Sequence, residues 1–443
     1  MTMAEMDAND VTVKKAAKKS AFWPILFCVL LVIPVNFDVG TLRISPFRIL
    51  LLLMLVPSLF NWLRGRAGKK IAADYFMLLF MVWCIIAIFV VMGGEGGVQP
   101  AGMWTIETLG AYFLGRVYIR DEATFRKVVK VLFFSVLLLL PLGAAESYLN
   151  RAVALNFFNN FGRTFPITDM EFRMDLRRTQ AVFEHPILYG VFCSSVFSFA
   201  FYLLGGAKLR FGSAWRMMVS AVATFFSLST GAFIAIAIQS ILIAWDFLMR
   251  KSKKKWTILT IIVIFLYVTV DAISNRSPAE VFISYLTFNL GSSYNRVLIW
   301  QYGTQQVYTT PWFGTGVPGT WERPNWLHSG SLDNFWLLMA VRHGVPAFVF
   351  IALTCWTMMR RVGKTHLVDP QLLNARKGLL FALIAMTVSM CTVHLWSATY
   401  CLFIFLLGSG SWLIEAGVDR SADVKKGRNR DGDDRLLDEV RPA

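Results

Sequence analysis

Apolar runs of span length, parted by short basic or Gly/Pro-bearing breaks, recur along most of the chain. A membrane-crossing helix needs roughly 20 mostly apolar residues. Runs of that kind fall near 22–37, 42–62, 72–92, 101–118, 128–148, 186–205, 214–230, 231–249, 256–273, 333–358, 378–396 and 399–416. The pattern predicts an all-α polytopic integral membrane protein of about 12 spans. Segment 101–118 is the weakest of them, because Glu107 and several small residues interrupt it. Segment 214–249 is too long for one span, and Ser229-Thr230-Gly231 offers the turn that divides it. Two stretches, near 148–185 and 274–332, are longer and more polar than the other connections. Long loops on such a scaffold usually carry function.

Composition narrows the class further. Hydrophobic residues make up 56% and charged residues only 16%, against roughly 25% charged in a soluble chain. A water-soluble enzyme, a disordered chain and a coiled coil are excluded. The six Cys lie inside apolar runs without the spacing of a disulfide framework or a zinc site, so they read as small core residues.

A net charge of +16 raises the question of nucleic acid, and the placement of the charge answers it. With the N-terminus inside, 33 of the 44 Lys and Arg fall in the expected cytoplasmic segments. These are 1–21, 62–73, 116–130, 206–216, 250–255, 359–377 and the C-terminal tail. That is the positive-inside pattern, with both termini cytoplasmic, and no nucleic-acid partner is expected. The expected organisation is a cytoplasmic tail at 1–21, one transmembrane domain at 22–416 and a disordered tail at 417–443. Lys14, Lys15, Lys18 and Lys19 precede an apolar run with no cleavage pattern, which reads as a retained first helix.

The 11 remaining basic residues are all Arg: 43, 48, 151, 163, 173, 177, 178, 276, 296, 323 and 342. Arg presents a permanently charged planar fork suited to phosphate and carboxylate. Pairing with Asp169, Glu171, Asp175 or Glu184 would account for single members of this set, but poorly for all of them. The first long loop ends in Arg177-Arg178-Thr179-Gln180-Ala181-Val182-Phe183-Glu184-His185-Pro186 and runs into a helix, with Pro at its start. A helix N-terminus there also favours anions. In the second loop, Arg296 lies in an amphipathic stretch, followed by the Gly/Pro turn at 311–319. Trp321, Trp326 and Trp336 read as interface anchors ahead of sugar platforms. His328 lies five residues before Asp333-Asn334, which open a span that also holds Arg342, and a charge at membrane depth normally faces a cavity or a partner.

The order Arg-x-x-x-Trp at 296–300, Pro-x-x-Gly-x-Gly at 311–316, Asp-Asn-x-x-Leu from 333 and Gly-x-Pro at 344–346 resembles the O-antigen ligase and polysaccharide polymerase family. Phe-x-His-Pro at 183–186, preceded by Arg178, resembles its exopolysaccharide polymerase branch. Where this family often has His-Asn, the chain has Asp333-Asn334, and its Ser-Arg-Gly appears as Ser229-Thr230-Gly231. The resemblance implies a glycosyltransferase of the inner membrane, moving a glycan at the periplasmic face from a polyprenyl diphosphate carrier to a sugar hydroxyl. Arg178 and Arg296 would hold the diphosphate, with Arg177 and Arg342 as helpers. Asp333 is the first candidate for the base and His328 the second, with Asn334 orienting Asp333. Glu184 and His185 would shape the acceptor side. No metal or cofactor is expected. Expected partners are the lipid-linked glycan, an acceptor glycan, membrane lipid, and flippase and chain-length or export proteins.

Within this class, the Asp-Asn variant and the Phe-Glu-His-Pro segment favour a repeat-unit polymerase over a ligase acting on lipid A core. A transporter or polysaccharide export subunit would also give many spans. Transporters commonly show paired halves and broken midplane helices, and the sequence carries no convincing repeat.

Overall fold

The computed structural model describes residues 21–417 except 40–41, 169–171, 276, 286–289, 318–320, 325 and 327–329. Helix α1 (Ala21–Leu30) leads to an antiparallel hairpin of β1 (Phe37–Val39) and β2 (Leu42–Ile44). The hairpin departs from the all-α expectation at the junction of the first two apolar runs. Then follow α2 (Pro46–Leu63), α3 (Ala72–Thr105), a π turn at Ile106–Gly110, α4 (Ala111–Tyr118), α5 (Glu122–Leu149) and the short α6 (Val153–Phe158). The middle of the chain holds α7 (Pro186–Ser194), α8 (Phe197–Phe199) with a π turn at Ala200–Leu204, α9 (Phe211–Phe226) and α10 (Thr230–Leu248). Beyond them lie α11 (Lys255–Ile273), α12 (Pro278–Tyr285), α13 (Leu290–Thr309), α14 (Phe335–His343), α15 (Val345–Lys364), α16 (Pro370–Ser389) and α17 (Ser397–Ser409).

Among the described residues, nine helical stretches are long and apolar enough to cross a membrane. The protein is a mostly helical, multi-pass membrane protein. Four of the expected runs do not appear as separate spans among the described residues. Ten residues of α1 are described, Ala21–Leu30. The runs at 72–92 and 101–118 join into one stretch of 47 residues, bent where Gly93 adopts a positive φ of 74°. α9 has 16 residues, and the turn before α10 falls at Ser229 as the sequence suggests.

Local chemistry explains the ends. Pro stands in the first turn of α2, α7, α15 and α16, where the missing N–H costs nothing. Asp121 caps α5 by accepting from Thr124 N, and Asp369 caps α16 by accepting from Gln371 N. The run at 186–205 is not continuous, since the helix breaks between α7 and α8. Gln239 of α10 spans that break, donating to Ser194 O (2.9 Å) and accepting from Ser198 N (3.0 Å). Broken backbone at membrane depth needs partners of this kind. α14 and α15 are divided at Gly344, with φ 84° and ψ 167°.

α4 and α17 pack closely through Gly115 and Gly408, each facing the other helix's backbone. Arg116, which the sequence places with an exposed basic loop, is fully buried on Asp74 (3.1 Å). Tyr112 and Trp62 also donate to that carboxylate, so the buried charge is paired and hydrogen-bonded. α11 is the opposite case, with no buried residue at all.

Candidate functional site

Four helices start around one segment, residues 390–396, which links α16 to α17. Phe335 N at the start of α14 donates to Met390 O (2.9 Å) and to Val393 O (3.3 Å). Gly231, in the first turn of α10, leaves no room for a Cβ beside Val393 and Thr392. Trp396, at the start of α17, donates its indole N–H to Glu184, which precedes α7. Thr399 then reaches Leu188 O of α7 (3.1 Å). Each helix N-terminus carries about half a positive charge. Their convergence makes an electropositive floor.

Arginines add to it. Arg173 donates to Leu228 O (2.9 Å) and Arg178 to Ser227 O (3.3 Å), so both reach the turn that opens α10. Arg178 and Arg173 both act electrostatically on His185, and Arg173 also acts on Arg296. Arg342 acts on His394. Among the described residues, buried nitrogens of Arg173 (Nε), Arg177 (Nε) and Arg296 (Nη1) have no hydrogen-bond partner. Leaving a buried donor unsatisfied costs about 1–3 kcal/mol, and more for a charged group. An anionic ligand would satisfy those of Arg173 and Arg296, whereas Arg177 Nε faces the Glu146 carboxylate.

Arg296 and Asp333 line one small cavity with Ile299, Trp300, Asn334 and Cys391. Burial lowers the pKa of Arg296, while the Asp333 carboxylate raises it and Arg173 adds to the lowering. Ser331 donates to Asp333 Oδ1 (2.6 Å). The orienting bond expected from Asn334 is therefore supplied by Ser331. Asn334 instead caps α14, accepting from Leu337 N (3.1 Å). His328 lies outside the described residues, so the second candidate base has no described geometry. Trp300, Asn334 and Cys391 also line a groove of about 940 Å³, which reaches Tyr267 of α11, Phe282 of α12 and Phe348 of α15. Its walls are almost wholly apolar.

His185 caps α7. Its Nδ1 accepts from Ile187 N (3.1 Å), so the neutral ring carries its proton on Nε2 and presents a donor there. Burial, reinforced by Arg178 and Arg173, lowers its pKa from the ordinary 6.5 to about 4. Arg177 lies 3.9 Å from Glu146 of α5, a link between its loop and a span. Arg342, at the end of α14, is partly buried, and its backbone carbonyl accepts from Gly316 N (3.1 Å). The 311–316 turn is thus a clamp on the α14–α15 break, where Gly314 packs against Val341 and Arg342. Trp321 is not an interface anchor: it is 3% exposed and donates to Gly330 O (3.1 Å). Trp336 is partly buried and donates to Thr387 O (3.0 Å), while Trp326 is exposed.

Three features escaped the sequence. Arg173 was one member of a loop, with nothing to single it out. His394 and Trp396 lie in an apolar run near the chain end, 5.1 Å apart between ring centres, with Phe335 beside His394 at 6.4 Å. Burial and Arg342 lower the His394 pKa to about 3. Glu107 and Arg48, read separately as an interruption and a flank, form an ion pair at 2.7 Å within electrostatic reach of Glu184. The only sequence signal for this pair is its opposite charge inside apolar runs.

Residues 215–352 match the family model Wzy_C, described as O-Antigen ligase. The matched segment runs from within α9 to within α15, and includes Arg296, Asp333, Asn334 and Arg342. Arg177, Arg178, Glu184 and His185 lie outside it. No curated protein matches the chain.

Proposed function

From the match of residues 215–352 to the O-antigen ligase/Wzy-type family, we propose that the chain is a polysaccharide polymerase. It passes a glycan repeat unit from a polyprenyl diphosphate carrier to a sugar hydroxyl at the periplasmic face of the inner membrane. Glycan transfer itself is the business of the family. The observation that carries the finer reading is the pair of buried guanidinium nitrogens without a hydrogen-bond partner on Arg173 and Arg296. They lie beside converging helix N-termini, and the Arg296 cavity adjoins the apolar groove. A donor with a charged diphosphate and an isoprenoid tail needs both environments, side by side.

In this reading the acceptor hydroxyl oxygen attacks the anomeric carbon, and the bond from that carbon to the diphosphate oxygen breaks. Negative charge develops on the departing lipid diphosphate. Arg296, with Arg173 and Arg178, stabilises it through preorganised charge in a partly desolvated site. Arg177 and Arg342 help from the rim. Asp333, oriented by Ser331, accepts the hydroxyl proton. Such help is typically worth about 10²–10⁴-fold in rate. Direct displacement inverts the anomeric configuration. His185, with Nδ1 occupied, serves the substrate as an Nε2 donor and not as a base. Glu184, held by Trp396, shapes the acceptor side.

The match to an O-antigen ligase family favours a second reading, a ligase that delivers finished chains to lipid A core. The glycans of a deletion strain separate the two. A polymerase deletion reduces surface glycan ladders to single repeat units, whereas a ligase deletion leaves long chains on the lipid carrier. Unaltered glycans of both kinds would refute the whole proposal.

A further inference from the structure

Glu146 is a charged residue of α5 that lies on the buried side of the helix, 0% exposed. One carboxylate oxygen accepts from Gln180 N and the other from Ala181 N, each at 3.1 Å. Its neighbours on the same helix hold the same strand of loop: Gly143 O accepts from the Thr179 hydroxyl (2.8 Å), and Ser147 donates to Arg177 O (2.8 Å). Ala181 has a positive φ of 48°, a conformation that a non-Gly residue adopts only when its surroundings impose it. The side chain of Gln180 then ties the turn to Thr168 N, Pro166 O and Phe183 O. Arg177 and Arg178 leave this turn on one side, Glu184 and His185 on the other.

We propose that Glu146 is a positioning residue of the site: its carboxylate, by holding two adjacent N–H groups of the strained 180–181 turn, sets where Arg178 stands relative to the donor diphosphate. An ordinary packing role would be met by an apolar side chain. A carboxylate is needed because two backbone donors point at one place, and only a group with two acceptor oxygens and no donor satisfies both. Glu146→Gln keeps the shape but turns an N–H-bearing nitrogen toward one of them. Glu146→Asp keeps both acceptors on a shorter stem.

The inference rests on the proposed donor site, and the test distinguishes the two. Transfer from a polyprenyl-diphosphate-linked glycan is measured in membranes with equal amounts of each variant, varying donor and acceptor separately. A misplacement of about 1 Å can cost on the order of 100-fold. We expect Glu146→Gln to lose at least ~10-fold in kcat/KM for the donor, with KM for the acceptor unchanged, and Glu146→Asp to fall between it and wild type. Glu146→Gln combined with Arg178→Ala should be no worse than Arg178→Ala alone, because Glu146 acts through that arginine. Additive losses, or a loss shared equally by donor and acceptor, would mean a general structural role and overturn the inference while leaving the donor site standing. A silent Arg178→Ala would overturn both.

Discussion

Trp396 donates its indole N–H to the carboxylate of Glu184, tying the start of α17 to the start of α7 across 212 residues of chain. The sequence singles out Glu184 for the acceptor side but gives no sign of Trp396. Glu184 reads as part of a polar loop and Trp396 as part of an apolar run, yet together they fix one wall of the site. His185, next to Glu184, has its ring centre 5.7 Å from that of Trp396. The wall continues to His394 and Phe335, and so to the start of α14 and Asp333.

Arg296→Lys is expected to be nearly as damaging as Arg296→Ala. Lys keeps the charge, but a point charge cannot grip two phosphate oxygens as a planar fork does. The check is product formation at matched membrane levels. Near-normal turnover by the Lys variant would reduce the requirement to diffuse charge.

Asp333→Asn is expected to abolish turnover while leaving donor binding intact, since shape is kept and basicity lost. A deficit of about 10²–10⁴-fold is expected, which exceeds a packing defect at a partly exposed position. His328→Ala should chiefly weaken acceptor use and recover at high acceptor concentration. An active Asp333→Asn with an inactive His328→Ala would move the base to His328.

Acid is expected to weaken the fold through His185. Its pKa is lowered from 6.5 to about 4 on folding, so the unfolded chain binds the proton first. The stability that neutral His185 contributes is complete above about 6.5 and is lost as the pH falls toward about 4. His185→Asn keeps a capping oxygen for Ile187 N and removes the titration. Its melting temperature in detergent should fall less steeply between pH 7 and pH 5 than that of wild type. Some slope should remain, because His394 shifts in the same direction. Identical slopes would locate the acid sensitivity elsewhere.

Gly344→Ala is expected to disable the site. The residue's φ of 84° and ψ of 167° belong almost entirely to glycine, and a Cβ would collide with carbonyl oxygens of Trp312 and Pro311. The strain alone is worth about 1–3 kcal/mol. Its relief would shift the α14–α15 break that carries Arg342. Gly363→Ala serves as the control, because its nearest neighbour, Leu380 Cδ1, is at an ordinary 3.7 Å. Equal thermal stability of the two variants would show that the break tolerates a side chain.

The amino-acid sequence by itself determined the membrane class, the course of most apolar helices and the two long polar stretches that hold most of the candidate site residues. Those properties are local or additive: a run of apolar residues favours a helix in a bilayer wherever it lies. Pro186 and the Ser229–Gly231 turn mark their helix ends for the same reason. The exclusively Arg composition of the stretches outside the expected cytoplasmic loops likewise points toward an anion. Only the tertiary structure decided that α7, α10, α14 and α17 begin around residues 390–396, or that Glu107 answers Arg48. It alone gave the Asn334 side chain to a helix cap and the orientation of Asp333 to Ser331. Contacts across 59 or 212 residues depend on which helix faces pack together. In a chain whose apolar faces all look alike, buried polar pairs and close glycine contacts select that packing.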